Sequence, residues 1–594
     1  MDRTDKITLK AFWEAVEQRL ATYSADELRA ILRAMAQGTS PSGRRAFLAR
    51  LEPVEGAALA ASHVIQQEGL LADIEDLAQE LDVAMEHAEP WEERYEWGGH
   101  YDEEDSLGPY EEFVEPLVEL FDRAEAAFDY GEISLARAAY QRLFDLLRIE
   151  DGYGRGVSAA DLSGADLGEA VARYLRAVYE TEPPERRPQA LCEQMRQVPG
   201  WLFGPRPMLE DLVQISPRPL PDREQFLTDW IAFLRTQSAP SGSDVDAWLR
   251  EAVWLAQGMP GLEALARAEG QTRPRAYLDW FAALEQEGRH REVLAATQEA
   301  LQALPARLPI RAAIADHLCA AAARLNEAEA LRLGRWEAFV AEPTLSRILD
   351  LWGDAVDVAE RTALMQRAVG HIREYLARPP ASRDEMMRGD DGLERSAWIG
   401  PSVLAHACLL ASDWDAAHHL AAQGKVLGWS SRESHQGLVV AAFLVLLSGE
   451  TLGALPSNLA QVWEWGVQHS VHGWRWRYGE EDPVHERLMR AYAEQFAAAA
   501  LSTDRQERFL SWCLDVAQRR VDAIVGNQHR GSYDKAAVLA VACAEVLRLR
   551  GDQAAADAVV NDVRSRFPRH RAFQAKMKTA LWRMERHQNG ASRG

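Results

Sequence analysis

Two short stretches of this 594-residue chain combine side chains suited to binding chemistry. Between Glu86 and Glu125, fifteen Asp or Glu residues stand against Arg94 and Arg123, a balance of −13 in a chain whose net charge is −25. Trp91, Tyr95, Trp97, Tyr101, Tyr110 and Phe113 are interleaved with these acids. Aromatic rings supply contact area and carboxylates supply electrostatic complementarity, so the segment reads as a docking element for a basic partner, or as a mimic of nucleic acid. The plainer alternative is a solvated loop whose rings pack on neighbouring helices. The second stretch, Trp474-Arg475-Trp476-Arg477-Tyr478, alternates rings with cations. A guanidinium over an aromatic plane suits base stacking, and equally suits an acidic peptide, including this chain's own acidic segment. Gly473 and Gly479 to Asp482 bracket it, which also fits a helix boundary turning its tryptophans inward. The expected partner-binding residues are therefore Trp91, Tyr95, Trp97 and Tyr101, then Trp474, Arg475, Trp476 and Arg477.

Catalytic and metal-binding patterns are missing from the sequence. It contains no HExxH, no GxSxG and no phosphate loop. His485-Glu486 has no second histidine four residues after the first, and His418-His419 reads as part of a helix. His87 and His100 lie among acids without a metal-ligand spacing. Asp151-Gly152-Tyr153-Gly154-Arg155-Gly156 is glycine-rich but lacks the lysine of a phosphate loop, so it reads as a turn between helices. Ala160 to Leu167 imitates two pentapeptide repeats, too few for a β-solenoid, and reads instead as a helix cap by Asp161 or Asp166. Arg519-Arg520, His529-Arg530 and Lys535 form a modest basic cluster that reads as a solvated face. The expectation is a protein that is not an enzyme and carries no cofactor or metal.

Composition bounds the partner classes. Hydrophobic residues make up 47% and charged residues 26%, an ordinary globular balance. The negative net charge argues against a broad nucleic-acid or anionic-membrane surface, although a local basic groove can exist inside an acidic protein. The five cysteines (Cys192, Cys319, Cys408, Cys513 and Cys543) lie far apart, which points to a reducing compartment. The first residues have no signal-peptide core, and the longest apolar run, Leu438 to Leu447, is too short to span a bilayer. A cytoplasmic location without a membrane partner is expected.

Helical signals dominate, and strand-like alternation is nearly absent. Leu28, Ile31, Leu32 and Met35 share one helical face, with Ser24 as its N-cap. Linkers are expected at Ser216 to Pro221, at Ser238 to Ser243 and between Pro379 and Gly400. One spacing recurs: a small or turn residue, then positions +5, +9, +12 and +17. Gly288 leads to Val293, Thr297, Ala300 and Pro305, and Gly551 leads to Ala556, Val560, Val563 and Pro568. Asn326 leads to Ala338 and Pro343, Gly131 to Ala136, Tyr140 and Leu143, and Ser412 to Ala417, Ala421 and Gly424. A tight turn between antiparallel helices explains the anchor. Small residues at +5 and +12 allow close approach, and proline at +17 ends the second helix.

The stretches from Glu287 through Pro305 and from Gly551 through Pro568 resemble the second half of a tetratricopeptide repeat. They depart from the family in two ways. Val293 stands where the family usually has alanine, and Tyr277 and Trp280 keep only the aromatic character of the first-helix pattern. The Gly288 and Asn326 units are 38 residues apart, longer than the family's usual 34. Asn527 to Ala537, running into the Gly551 unit, resembles the helical region of bacterial SWIM zinc-finger proteins. The zinc motif itself is absent, so no metal role follows. The resemblance implies an all-α, right-handed α-solenoid of divergent helix-turn-helix repeats, in two lobes separated near 379–400.

The expected organisation is a helical region over 1–85, the acidic aromatic segment over 86–125, a repeat lobe over 126–378, an exposed loop over 379–400 and a C-terminal lobe over 401–594. Stacked helical pairs expose extended surfaces that bind peptides or proteins. The leading expectation is a non-catalytic scaffold or adaptor in a bacterial cytoplasmic complex, with a protein partner that is basic if the acidic segment holds it. A nucleic-acid-associated helical protein is one alternative. Another, by analogy with helical partners of the caspase-like proteases in some CRISPR systems, is a regulatory partner released by proteolysis. That last reading requires limited proteolysis to give one dominant cut between Pro379 and Gly400; cuts scattered elsewhere rule it out.

Overall fold

The computed structural model describes residues 56–87, 108–152, 154–198, 206–237, 242–306, 308–377, 399–423, 435–471 and 483–591, with scattered positions between 19 and 32. The described residues are α-helical, with short 3-10 turns and no strand among them. Helices pack mainly against their neighbours in sequence, so the fold is all-α and solenoid-like. The chain divides into two compact units, Met1–Arg267 and Ala268–Gly594.

The first unit contains α1 (Gly56–Glu86), α2 (Val114–Asp129), α3 (Ile133–Leu146), α4 (Leu167–Thr181), α5 (Arg187–Gln197), α6 (Leu209–Gln214) and α7 (Arg223–Thr236). Helix α8 (Asp244–Glu269) follows and bends at Gly258, whose φ of 61° precedes Pro260. Buried arginines organise this unit. Arg176 on α4 donates to the carbonyls of Leu212 (3.0 Å), Arg218 (2.9 Å) and Pro219 (2.9 Å), and Tyr179 donates to that of Pro221. Ser216 and Leu220 are buried as a result. The proline-rich stretch expected to be a linker is thus fastened to α4 by three donated hydrogen bonds, and α6 by the fourth. Glu251 on α8 caps α6, accepting from the amides of Leu209 (2.9 Å) and Glu210 (2.8 Å). Burial pushes its carboxyl up to about 7.

The second unit opens with α9 (Arg275–Gln286), α10 (His290–Ala303), α11 (Arg311–Leu325), α12 (Ala328–Ala341), α13 (Leu345–Asp354) and α14 (Val358–Leu376). It continues with α15 (Pro401–Leu410), α16 (Trp414–Ala422), α17 (His435–Ser448) and α18 (Ser457–Gln468). The last five are α19 (Pro483–Ala497), α20 (Thr503–Gly526), α21 (Tyr533–Leu549), α22 (Gln553–Arg566) and α23 (Arg571–Ala591). Met365, Val369 and Ile372 before the 379–400 segment share one apolar core with Leu404, Cys408 and Leu409 after it. The helices on either side of that segment therefore belong to one unit, and the chain divides at 267/268 rather than at the expected lobe boundary.

All five anchors of the recurring spacing adopt the left-handed conformation: Gly131 (φ 87°), Gly288 (71°), Asn326 (58°), Ser412 (56°) and Gly551 (85°). Gln528 (57°), which lacks the spacing, is a sixth. At each, the anchor amide donates to the carbonyl three residues back at 2.9–3.3 Å. The next amide donates to the carbonyl five residues before it at 2.9–3.0 Å. This pair of bonds closes a helix C-terminus and reverses the chain. Positions +5, +9 and +12 of the Gly131, Gly288 and Gly551 hairpins are buried, as are Ala417 and Ala421 of the Ser412 hairpin. Helices α10, α12 and α22 each end two residues before Pro305, Pro343 and Pro568. The Asn326 hairpin departs at +9, where Arg335 pairs with Asp354. Gly334 at +8 makes the close approach there, since a Cβ would stand 2.7 Å from Cys319 Sγ.

No atom lies within 4 Å of the place a Cβ would take at Gly288 or Gly551. The cost of alanine there is conformational, on the order of 1–2 kcal/mol. Gly288→Ala and Gly551→Ala each lower the urea midpoint accordingly. An unchanged midpoint would show that the turn is not held in the left-handed region.

Candidate functional site

The bonding around Tyr110 shows how the end of the acidic segment is held. The 3-10 turn Gly108–Phe113 enters the first unit by burying Tyr110 and Phe113. The Tyr110 hydroxyl donates to Asp151 Oδ2 at 2.9 Å. Burial, with the carboxylate beside it, pushes the phenol up from its usual range. Asp151 also accepts from the Arg155 amide at 2.9 Å and from its guanidinium at 2.9 Å. The glycine-rich stretch is the turn between helices that its composition suggests, and its Asp151 braces the acidic segment. Asp166 caps α4, accepting from the Glu169 amide at 3.1 Å. Asp161 instead accepts from the Ser158 amide and hydroxyl at 2.8 and 2.7 Å.

Beside that turn runs a groove between α1 and the start of α2. Helix α1 buries Leu70, Ile74, Leu77, Leu81 and Met85, spaced three and four residues apart. On its shoulder Asp76, Glu80 and Val83 are exposed at i, i+4 and i+7, and Val83 is 56% exposed. Glu112, Phe113 and Pro116 form the opposite wall. Among the described residues, Asp76, Glu80 and Glu112 make no ion pair. Among the described residues the groove thus presents three carboxylates without a cationic partner around an apolar floor. This wall is not among the expected binding residues; the i, i+4, i+7 spacing of Asp76, Glu80 and Val83 is the signal that could have found it. Of the acidic segment's residues, the structure brings Glu112, Phe113 and Pro116 to it.

The eight residues expected to bind a partner, Trp91, Tyr95, Trp97, Tyr101, Trp474, Arg475, Trp476 and Arg477, lie outside the described residues. His87 is described, and its Nδ1 meets the Val83 carbonyl at 2.8 Å. No protein-family model matches this chain, and no curated protein matches it.

One constellation in the second unit has the outline of nucleophilic machinery. His406 Nε2 lies 3.0 Å from Ser470 Oγ, and Nδ1 lies 2.7 Å from the Tyr492 hydroxyl. Its proton directions decide its role. The Ser470 hydroxyl donates to the Val467 carbonyl at 2.8 Å, which can only accept. His406 Nε2–H must then donate to Ser470, and Nδ1 accepts from Tyr492. The imidazole therefore cannot take the serine proton in this arrangement, as a general base would. All three side chains are buried. Burial pushes His406 down to about 3 and Tyr492 well up. The group is a buried polar network that ties α15, α19 and the end of α18 together.

A histidine held neutral in the fold and protonated in the unfolded chain stabilises the protein above pH ~6.5 and loses that contribution as pH falls toward 3. The difference in unfolding free energy between wild type and His406→Gln is expected to be flat above pH ~6.5. Below it, the difference shrinks by up to about 1.4 kcal/mol per pH unit. A difference independent of pH from 3 to 7 contradicts the neutral assignment.

Proposed function

We propose that this chain is a non-catalytic scaffold or adaptor that holds a basic segment of a partner protein on its acidic first unit. The observation that carries the reading is the groove between α1 and the Gly108–Phe113 turn. There, among the described residues, Asp76, Glu80 and Glu112 stand without ion-pair partners around Leu77, Val83, Phe113 and Pro116. Unpaired carboxylates on a rim attract a cationic ligand, and an apolar floor supplies the area that keeps it. In sequence, the expected partner-binding residues Trp91, Tyr95, Trp97 and Tyr101 fall in the acidic stretch that also holds Glu112 and Phe113. The helical hairpins support the scaffold reading in a second way. Five spaced anchors share one turn geometry, as tetratricopeptide-like repeats would, and such repeats commonly present peptide-binding surfaces. A bacterial cytoplasmic setting is part of the proposal, and five free cysteines suit a reducing compartment. Burial pushes the Cys408 and Cys543 thiols up to about 12, which suits structural rather than reactive roles.

The release-by-proteolysis alternative has less support. A cut within 379–400 would leave α14 and α15 in one shared core, so cleavage alone would not part the two flanks.

Pull-down from the source cells tests the scaffold reading. Wild type is expected to retain a stoichiometric basic protein, and the triple variant Asp76→Lys, Glu80→Lys, Glu112→Lys to lose at least tenfold of it while keeping its circular dichroism. Equal capture by both proteins would sink the groove as the binding surface.

A further inference from the structure

The strongest local departure from the chain's acidity is at its C-terminal end. Between Arg564 and Arg586 there are eight Lys or Arg residues and one acid, Glu585. Helix α23 buries Phe573, Met577, Ala580 and Met584, which fixes the direction its other faces point. Arg571, Lys578, Trp582 and Arg586 fall on the face opposite this core, and Lys576 and Arg583 on one flank. Arg571 and Arg586 are about 22 Å apart along the axis. Arg564, Arg569, Arg571, Lys576, Lys578 and Arg586 are exposed, and among the described residues none of the six is in an ion pair. Trp582 is 54% exposed, and the Arg586 guanidinium lies 5.2 Å from its ring centroid.

Beside Trp582 is a shallow groove lined by Ser457 and Gln461 of α18 and by Arg583 and Arg586 of α23. Arg583 donates to Gln461 Oε1 at 2.9 Å, which holds its guanidinium at the groove's edge. The groove is built on a buried junction. Glu545 on α21 accepts from the Asn458 amide group (2.6 Å) and from the Leu459 backbone amide (2.9 Å). Asn458 also donates to the Ala580 carbonyl at 3.0 Å. One buried carboxylate and one buried carboxamide thus fix α18 against α23, so the hydroxyl, guanidinium and indole sit on a rigid floor.

We infer that this face of α23 binds single-stranded nucleic acid. A base stacks on the exposed Trp582 ring, and the flanking phosphates are held by Arg586, Arg583 and the Ser457 hydroxyl. Lys578 extends the track toward Arg571, and Lys576 lies on the flank that carries Arg583. The surface favours this ligand over an acidic protein. Protein interfaces need an apolar centre, whereas here a lone indole stands among cations, one acid (Glu585), Ala575 and Thr579. Stacking on one aromatic ring beside a cationic track is how sequence-tolerant single-strand binding works. The inference is independent of the acidic groove on the first unit and goes beyond the scaffold reading.

The test uses the full chain and a fluorescein-labelled 20-nucleotide oligo-dT or oligo-rU, followed by anisotropy across a salt series. Wild type is expected to bind with an affinity that falls as salt rises. Trp582→Ala weakens it about fivefold or more, and Trp582→Phe restores most of the loss. Lys576→Glu with Arg586→Glu lowers the slope of log affinity against log salt by about 1.4, the value for two lost phosphate contacts. No binding at low salt overturns the inference. So does equal competition by polyglutamate together with an unchanged Trp582→Ala variant, which would mark an acidic-protein surface. Preference for duplex with no effect of Trp582→Ala also overturns it. Trp582, Lys576 and Arg586 are all on the surface, so these variants fold.

Discussion

A helix that ends leaves its last carbonyls without partners, and a chain that must reverse within two residues has few ways to satisfy them. Among the described residues one solution appears six times: a residue at positive φ donates backward, and so does the residue after it. The rest of each hairpin follows. At the five spaced anchors the second helix starts two residues past the anchor, and in the Gly131, Gly288 and Gly551 hairpins the side chains at +5, +9 and +12 are buried. Where the anchor is followed by aspartate, as at Asp413 and Asp552, the same residue also caps the new helix, at 3.2 and 2.9 Å. Where Glu132, Arg289 or Glu327 follows, the backbone geometry is kept without that cap. The turn is therefore the invariant, and capping is optional.

That local character explains what could be read from residue order. Anchors, small positions and terminating prolines act within about twenty residues of one another, so their spacing is visible in a string. Asp166 as a cap and the glycine-rich turn near Asp151 are equally local. What escaped reading acts across distance. Ser216 to Pro221 has a linker's composition, and only the guanidinium of Arg176, some forty residues earlier, shows that it is fastened down. The contact between Tyr110 and Asp151 joins two features that look unrelated in sequence. The division at 267/268 falls near the end of α8, beyond its bend at Gly258 and Pro260, where the helical pattern itself carries no break. Proline and glycine richness at 379–400 suggested a boundary, yet hydrophobic residues on both sides enter one core. Gln528 makes the same turn as the other anchors but lacks their spacing, so it passed unseen.

Buried ionisable groups do positional work in both units. Glu251 and Glu545 each accept two backbone or carboxamide donors at a helix start, and burial raises both carboxyls. Arg311 satisfies the Leu301 and Leu304 carbonyls at the end of α10 and pairs with Glu337 of α12 at 2.6 Å, so one side chain spans two successive hairpins. These contacts close the helix ends that side-chain caps leave open. They also make the surface legible. Once the buried charges are accounted for, the unpaired ones stand out: carboxylates along α1 and cations along α23. A net charge of −25 conceals that polarity.

The cations of α23 include two of only six lysines in the chain; the others are Lys6, Lys10, Lys425 and Lys535. No lysine occurs between Lys10 and Lys425, so the basic side chains there are all arginine. Amine-directed chemistry, whether a fluorophore ester, a bifunctional cross-linker or an acetyl donor, is thereby blind to nearly the whole first unit. It is concentrated on a few addresses, of which Lys576 and Lys578 are exposed on one helix. A reagent normally regarded as indiscriminate has only six lysines to meet on this protein, and two of them lie on one helix.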